Sequence, residues 1–218
     1  MKQFFENLLD WIYKKKCYFC GSSKESVLMC SKCFNELEFN NIVVDREILG
    51  TKIFVAGTYE KYLQKLIRGL KYHGQKDLAY YLAKFMNEYF IDVTDQFNYS
   101  KEFCIVPVPL HKKRREKRRY NQMELVAIEL SKITGYEYDF SIVKRVKSTK
   151  PQYKLSRKER MANLDNAFVV DKSKYNNKTI LLIDDICTTG ATFESIINEF
   201  HKNGITNIIC LASTTPQS

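Results

Sequence analysis

Apolar positions along this 218-residue chain recur in two rhythms. Leu63, Leu66, Ile67 and Leu70 share one side of a helix over 62–72, and Leu82, Phe85, Met86 and Tyr89 repeat that pattern over 78–90. Further helices are expected over 121–133, with Gly135 past its end, and over 192–202, stopped by Gly204. Between them stand short runs over 52–59, 103–108, 141–146, 167–170, 179–183 and 207–211 that read as strands. Strands alternating with helices imply an α/β fold, a parallel sheet flanked by helices. Phe4, Phe5, Leu8, Leu9 and Ile12 suit an amphipathic helix over 3–14, and Glu6 and Asp10 interrupt it too often for a signal peptide. Residues 31–37 suit a short helix, 40–50 a linker, and 147–165, polar and broken by Pro151, a mobile loop followed by a short helix. Two parts are therefore expected: an N-terminal segment over 1–50 and an α/β domain over 51–218. No apolar run approaches the roughly 20 residues of a membrane span. Membrane insertion is not expected, and with no targeting segment evident the cytoplasm is the expected location.

Charge narrows the partners. A net charge of +10 favours polyanions, whether nucleic acid, an acidic membrane surface or a phosphorylated metabolite. Seven of the eight residues from Lys112 to Arg119 are basic, and they follow Val106-Pro107-Val108-Pro109-Leu110-His111. Such a run is usually a solvated face. Placed after a proline-ended strand, it is read as a basic loop in which Arg114, Arg115, Arg118 and Arg119 meet a pyrophosphate or a nucleic-acid backbone. Arg157 and Arg160 could join them from the following polar segment, or remain on a solvated helix. Tyr18, Phe19 and Tyr120 stand beside basic residues, where aromatics can stack on single-stranded bases or serve the core.

Four of the seven cysteines form a pattern of their own. Cys17 and Cys20, then Cys30 and Cys33, are two Cys-x-x-Cys pairs with nine residues between them. Each pair can bend into a knuckle, and four thiolates give the closed tetrahedral set of a structural zinc site, against the alternative of redox pairs. Gly21 suits the positive φ that such a turn often needs. Cys104, Cys187 and Cys210 lie in or beside apolar runs and read as reduced core or loop residues.

The most specific stretch is Leu181-Leu182-Ile183-Asp184-Asp185-Ile186-Cys187-Thr188-Thr189-Gly190-Ala191-Thr192. A buried strand ends in two acids, then a small-residue turn opens a helix. Open α/β sheets place ligands at such strand ends, and amides at a helix N-terminus cradle phosphate. The bland alternative is two acids ending a strand with Thr188 or Thr189 as a helix cap. The segment resembles the signature loop of type I phosphoribosyltransferases, which bind 5-phosphoribosyl-1-pyrophosphate (PRPP). The resemblance implies that Asp184 and Asp185 take the ribose hydroxyls and that Thr188, Thr189, Gly190, Ala191 and Thr192 hold the 5-phosphate.

Further segments extend the likeness along residues 17–213: the two knuckles, Leu66-Ile67-Arg68-Gly69-Leu70-Lys71-Tyr72-His73-Gly74, the Pro-Val-Pro-Leu-His run with its basic tail into Tyr120-Asn121-Gln122, and Gln152-Tyr153-Lys154-Leu155-Ser156-Arg157-Lys158-Glu159-Arg160 with Asn163 and Ala167-Phe168. In that order they resemble the ComF family of competence-associated, phosphoribosyltransferase-like proteins. The family usually has glycine where this chain has Arg119; if the loop needs a positive φ there, the chain must shape it differently. The resemblance implies PRPP and magnesium as ligands, a role in DNA uptake and transformation, single-stranded DNA binding, and a helicase-like competence protein as partner. Transfer of the phosphoribosyl group to a nitrogen acceptor would make the protein an enzyme. A nucleic-acid-binding accessory that keeps the fold without catalysis, or a phosphoribosyltransferase of other metabolism, remains open.

Overall fold

The computed structural model describes residues 15–99, 102–147, 164 and 166–216. A six-stranded sheet runs β1 (Arg46–Ile48), β2 (Thr51–Thr58), β8 (Ile208–Thr215), β7 (Thr179–Ile186), β3 (Phe103–Pro107), β4 (Glu137–Tyr138) in space. All neighbours are parallel except the β1–β2 hairpin, which turns at Leu49 and Gly50, both at positive φ. A separate antiparallel pair, β5 (Val143–Arg145) and β6 (Phe168–Val170), lies off this sheet.

Both faces of the sheet are covered, which is why β3 and most of β7 read as unbroken apolar runs. Side chains alternate along β7: Leu181 and Ile183 enter one apolar cluster, Ile180 and Leu182 the other. The first cluster is built with α2 (Lys61–Tyr72), α3 (Leu78–Phe97) and α5 (Gln122–Thr134), through Leu66, Leu82, Phe85, Met86, Val126 and Leu130. Cys17, Met29, Cys30 and Cys33 belong to that cluster too, so the cysteine segment packs on α2 and α3. The second uses α6 (Ala191–Lys202) through Phe193, Ile196, Ile197 and Phe200, with Val143 and Phe168 from the small sheet. Each fully buried Leu, Ile or Phe contributes roughly 1.5–3 kcal/mol.

Several elements depart from the sequence expectation. The basic run is not a loop: Lys112–Arg118 forms helix α4, capped by His111, whose Nδ1 accepts from Lys113 N at 3.2 Å. Lys and Arg are good helix formers, and the run is too short for its periodicity to show. Strand β7 extends through both acids because β8 supplies the ladder, pairing Asp184 with Ala212 and Ile186 with Thr214. The expected linker contains β1, and the runs near 143 and 168 pair with each other rather than joining the parallel sheet. The short helix α1 is Ser31–Phe34. The helix expected over 3–14, and most of the polar segment with Arg157 and Arg160, lie outside the described residues. Among the described residues, no helix is long and apolar enough to cross a membrane.

One topological feature positions the site. From β3 the chain proceeds through α4 and α5 to β4 on one side; from β7 it proceeds through α6 to β8 on the other. The carboxyl ends of β3 and β7 therefore border a switch point, where open sheets form ligand crevices.

Candidate functional site

Two acids end β7 with different surroundings. Asp185 points toward α2 and α5 and is buried. Lys71 Nζ, from the end of α2, lies 2.7 Å from its Oδ1, and Gln122 Nε2, from the first turn of α5, donates to its Oδ2. Both ends of that carboxylate are thus held by protein. Asp184 takes the opposite face and is half-buried. Its Oδ1 accepts the amide of Asp185 at 2.8 Å. Burial, then the neighbouring charge of Asp185, pushes the Asp184 carboxyl up to about 7, against the pull of that amide, Lys71 and Arg145. Asp184 is thus the less buried of the two acids.

The turn after β7 is fixed at both ends. Cys187 N donates to Thr214 O at 2.8 Å, tying the turn to β8. Gly190 adopts φ +80 as the N-cap of α6, a conformation that favours glycine. Thr189 Oγ1 accepts the amide of Ala191 at 3.4 Å. Arg46 of β1 lies against Gly190: a Cβ there would stand 3.3 Å from Arg46 Nη1. The N-terminus of a twelve-residue helix thus opens beside the acids, as a phosphate cradle requires. Cys187 is buried, and burial pushes its thiol up to about 12, which disfavours the nucleophilic thiolate.

The third wall follows β3. Val108 N continues the ladder to Ile183 O at 2.9 Å, and α4 then rises from the crevice. Each residue of Tyr120-Asn121-Gln122 has a contact of its own. Tyr120 donates its hydroxyl to Leu70 O, the Asn121 side chain caps α5 by accepting Met123 N at 3.0 Å and donates to Val108 O at 3.2 Å, and Gln122 holds Asp185. Arg118 donates to Gln122 Oε1 and lies 5.7 Å from the exposed ring of Tyr72. Arg115 pairs with Glu124 at 3.0 Å. Arg145 carries its guanidinium over the Phe168 ring at 5.2 Å; burial, then the charge of Arg114, lowers it to about 10 while Asp184 supports it.

Of the predicted residues, Asp184, Asp185 and the 188–192 turn follow one another at the crevice, Arg118 reaches Asp185 through Gln122, and Arg114 is near enough to Arg145 for its charge to act there. Arg115 turns to α5, and Arg119 is exposed. Arg119 nevertheless adopts φ +66, so this backbone keeps the left-handed turn despite carrying arginine; the expectation of a differently shaped turn is corrected. Family resemblance offers Lys71 and Tyr72 as residues that line the site, with packing or solvent as the equal alternative, and Lys71 meets Asp185; sequence reasoning missed Gln122 and Arg145. Only the Asn-Gln that follows the basic run offered a signal, since a polar pair opening an apolar helix is a cap pattern.

The four knuckle sulfurs lie within 4.8 Å of one another, with Cys17 to Cys33 at 3.8 Å and Cys20 to Cys30 at 3.7 Å. Zinc–sulfur bonds of about 2.3 Å in a tetrahedron set sulfurs about 3.8 Å apart, so the set can hold a metal such as zinc. Gly21 takes φ +75, as the turn requires. Burial raises the Cys17 thiol, but hydrogen bonds from the amides of Cys30, Cys20 and Phe19 outweigh it and bring the thiol to about 6. Burial and the three neighbouring thiols push Cys33 well above the usual range. Thiols crowded this way cannot all ionise unless a cation compensates them, and a coordinated thiol is deprotonated.

Fold and site thus define an open α/β protein with an acid-and-turn crevice at its switch point and a four-cysteine knuckle packed beside it. No family model matches the chain. It is 31% identical over 198 residues to competence protein F of Haemophilus influenzae, covering 88% of this chain and 86% of that protein. It is 26% identical over 204 residues to the DNA utilization protein YhgH of Escherichia coli K12 (92% and 85% covered), and 26% identical over 193 residues to competence protein ComFC of Bacillus subtilis (82% and 75%). The chain belongs to the ComF family.

Proposed function

We propose that this protein serves in competence and DNA utilization, and that it binds PRPP at the crevice between β3 and β7. The observation that carries the second part is the sequence of features along β7: a half-buried acid, a turn, then the glycine-capped N-terminus of α6. Asp184 receives a ribose hydroxyl, the amides of the 188–192 turn receive the 5-phosphate, and Arg114, Arg118 and Arg145 meet the pyrophosphate across the switch point. Magnesium bound with PRPP would add positive charge against the pyrophosphate, alongside Arg114, Arg118 and Arg145. If transfer follows, the site stabilises charge developing on the sugar and on the leaving pyrophosphate as a nitrogen acceptor attacks.

The test is calorimetric titration of PRPP with magnesium into zinc-loaded wild type and Asp184→Asn. Asp184→Asn is the cleaner variant, because Asp185→Asn also strands Lys71. Binding by wild type and its loss in the variant are expected; a folded wild type that binds no PRPP refutes the reading.

A single-stranded DNA surface is a second reading. It is supported by the seven-residue basic helix without a buried residue and by the exposed Tyr72 under Arg118. Neutralising Arg114, Arg115, Arg118 and Arg119 together should flatten the salt dependence of DNA affinity; an unchanged slope removes α4 from the DNA path.

A further inference from the structure

Helix α2 touches the cysteine knuckle along one face and the acid pair at its end. Tyr62 stacks on Phe19 with centroids 5.8 Å apart. Lys65 Nζ donates to Phe19 O at 3.1 Å and lies 5.3 Å from the centre of the Tyr18 ring. Gly69 lets the Tyr18 ring approach: a Cβ there would be 3.2 Å from Tyr18 Cε1. The Tyr18 hydroxyl lies 2.5 Å from His73 Nδ1. Positions 62, 65, 69 and 73 fall three or four apart, on one side of the helix and its cap. What grips that side is the turn between the first two cysteines, which a bound metal would fix. From the same helix, Leu70 O accepts from Tyr120 and Lys71 meets Asp185, with side-chain exposures of only 13% and 7%.

We propose that α2 is the connection through which the metal-binding knuckle sets the acid site, with Lys71 as its positioning residue. The proposal rests on the ligand-binding reading of the acids given above. With the knuckle closed on metal, Tyr18 and Phe19 hold α2 in place and Lys71 neutralises Asp185. Asp184 is then the acid presented to a ligand. When the knuckle opens, α2 loses one of its packed faces and Lys71 its register. Asp185 is then a buried carboxylate with a weakened partner, which is strongly unfavourable, and the negative field on Asp184 rises.

The titratable and charged groups whose fields act on Asp184 are Asp185 on its own strand and Lys71 of α2 from the far face, Arg145 of β5, and the thiols of Cys187 and of Cys210 on β8. Lys71 is the only one of them that the knuckle side carries.

The test follows the Asp184 carboxyl by 13C NMR across pH, alongside PRPP–magnesium calorimetry, in zinc-loaded wild type, Lys71→Met, Lys71→Arg and Tyr18→Ala, and in zinc-stripped wild type. Zinc content and far-UV circular dichroism accompany each sample. Lys71→Met is expected to raise the Asp184 midpoint above the wild-type value and weaken PRPP binding about tenfold or more, at unchanged zinc content. Lys71→Arg should restore most of both, and Tyr18→Ala should shift both as Lys71→Met does. An unchanged midpoint in Lys71→Met overturns the role of Lys71. Folded Tyr18→Ala or zinc-stripped protein that titrates like wild type overturns the connection to the knuckle. If wild type itself binds no PRPP, the proposed function fails, and the carboxyl titration alone decides this proposal.

Discussion

Gly69 lies inside α2, where alanine would ordinarily stabilise a helix by about 1 kcal/mol. Packing reverses that sign here. A methyl at position 69 would stand 2.6 Å from Leu78 Cδ1 and 3.2 Å from Tyr18 Cε1. Leu78 is fully buried at the start of α3, so its side chain has no solvent to swing into. Overpacking of a filled core costs about 1–3 kcal/mol, and an approach this close belongs at the upper end. The net effect of Gly69→Ala is a loss of about 2 kcal/mol after the helix gain is subtracted. For a chain of this length each kcal/mol moves Tm by about 2–4 °C, so a fall of about 4–8 °C is expected. The assay is thermal unfolding of zinc-loaded protein followed by circular dichroism. Leu78→Ala in the same background supplies a control: it opens space for the added methyl, so the double variant should lose less than the sum of the singles. A Tm for Gly69→Ala at or above wild type would refute the packing argument.

Other outcomes follow from single groups. The Asp184 carboxyl is raised to about 7 by burial and by Asp185, from an unfolded value of about 3.9. Its contribution to stability is therefore full below that unfolded value and is lost as pH rises to about 7. Asp184→Asn removes the dependence, so its Tm relative to wild type should be higher at pH 8 than at pH 4; parallel curves would show that burial does not hold the proton. Cys33→Ser should abolish a zinc content of one per chain, measured by elemental analysis, and lower Tm, because the thiol sits in the shared core. Arg119 occupies φ +66, a conformation costing about 1 kcal/mol for a residue with Cβ. Urea unfolding should find Arg119→Gly neutral to mildly stabilising and Arg119→Val destabilising; a clear loss with glycine would mean that the arginine side chain, not the backbone, sets the turn.

Local signals account for what the sequence made legible. Helices α2 and α6 carry strong periodicity, α5 ends at a glycine, and β3 and β7 up to its acids are apolar on both faces. The cysteine pairs were legible because tetrahedral sulfur chemistry constrains spacing, and the four sulfurs do converge. Elements fixed by distant partners were not legible. Two-residue β4 exists only because β3 offers a parallel edge, and β1 only because Leu49 and Gly50 turn it back on β2. Helix α4 hid within a charge run whose composition describes a solvated surface equally well.

The site shows the same division more sharply. Asp184 and Asp185 are adjacent in sequence, and the sequence presents them as a pair with one task. A strand sends neighbouring side chains to opposite faces, so the pair was bound to be split, with one acid against α2 and α5 and the other toward α6 and the small sheet. What could not be read is which helix ends would meet the first acid. Lys71 is 114 positions away and Gln122 is 63; neither has a local pattern that separates it from a surface lysine or a helix-opening glutamine. Their assignment depends on how α2 and α5 pack, and α2 packs as it does because Gly69 admits Tyr18 and Leu78. The proposed connection makes the acid pair depend on a glycine and an aromatic ring that carry no charge, so substitutions at Gly69 or Tyr18 should reach Asp185 before they disturb the sheet.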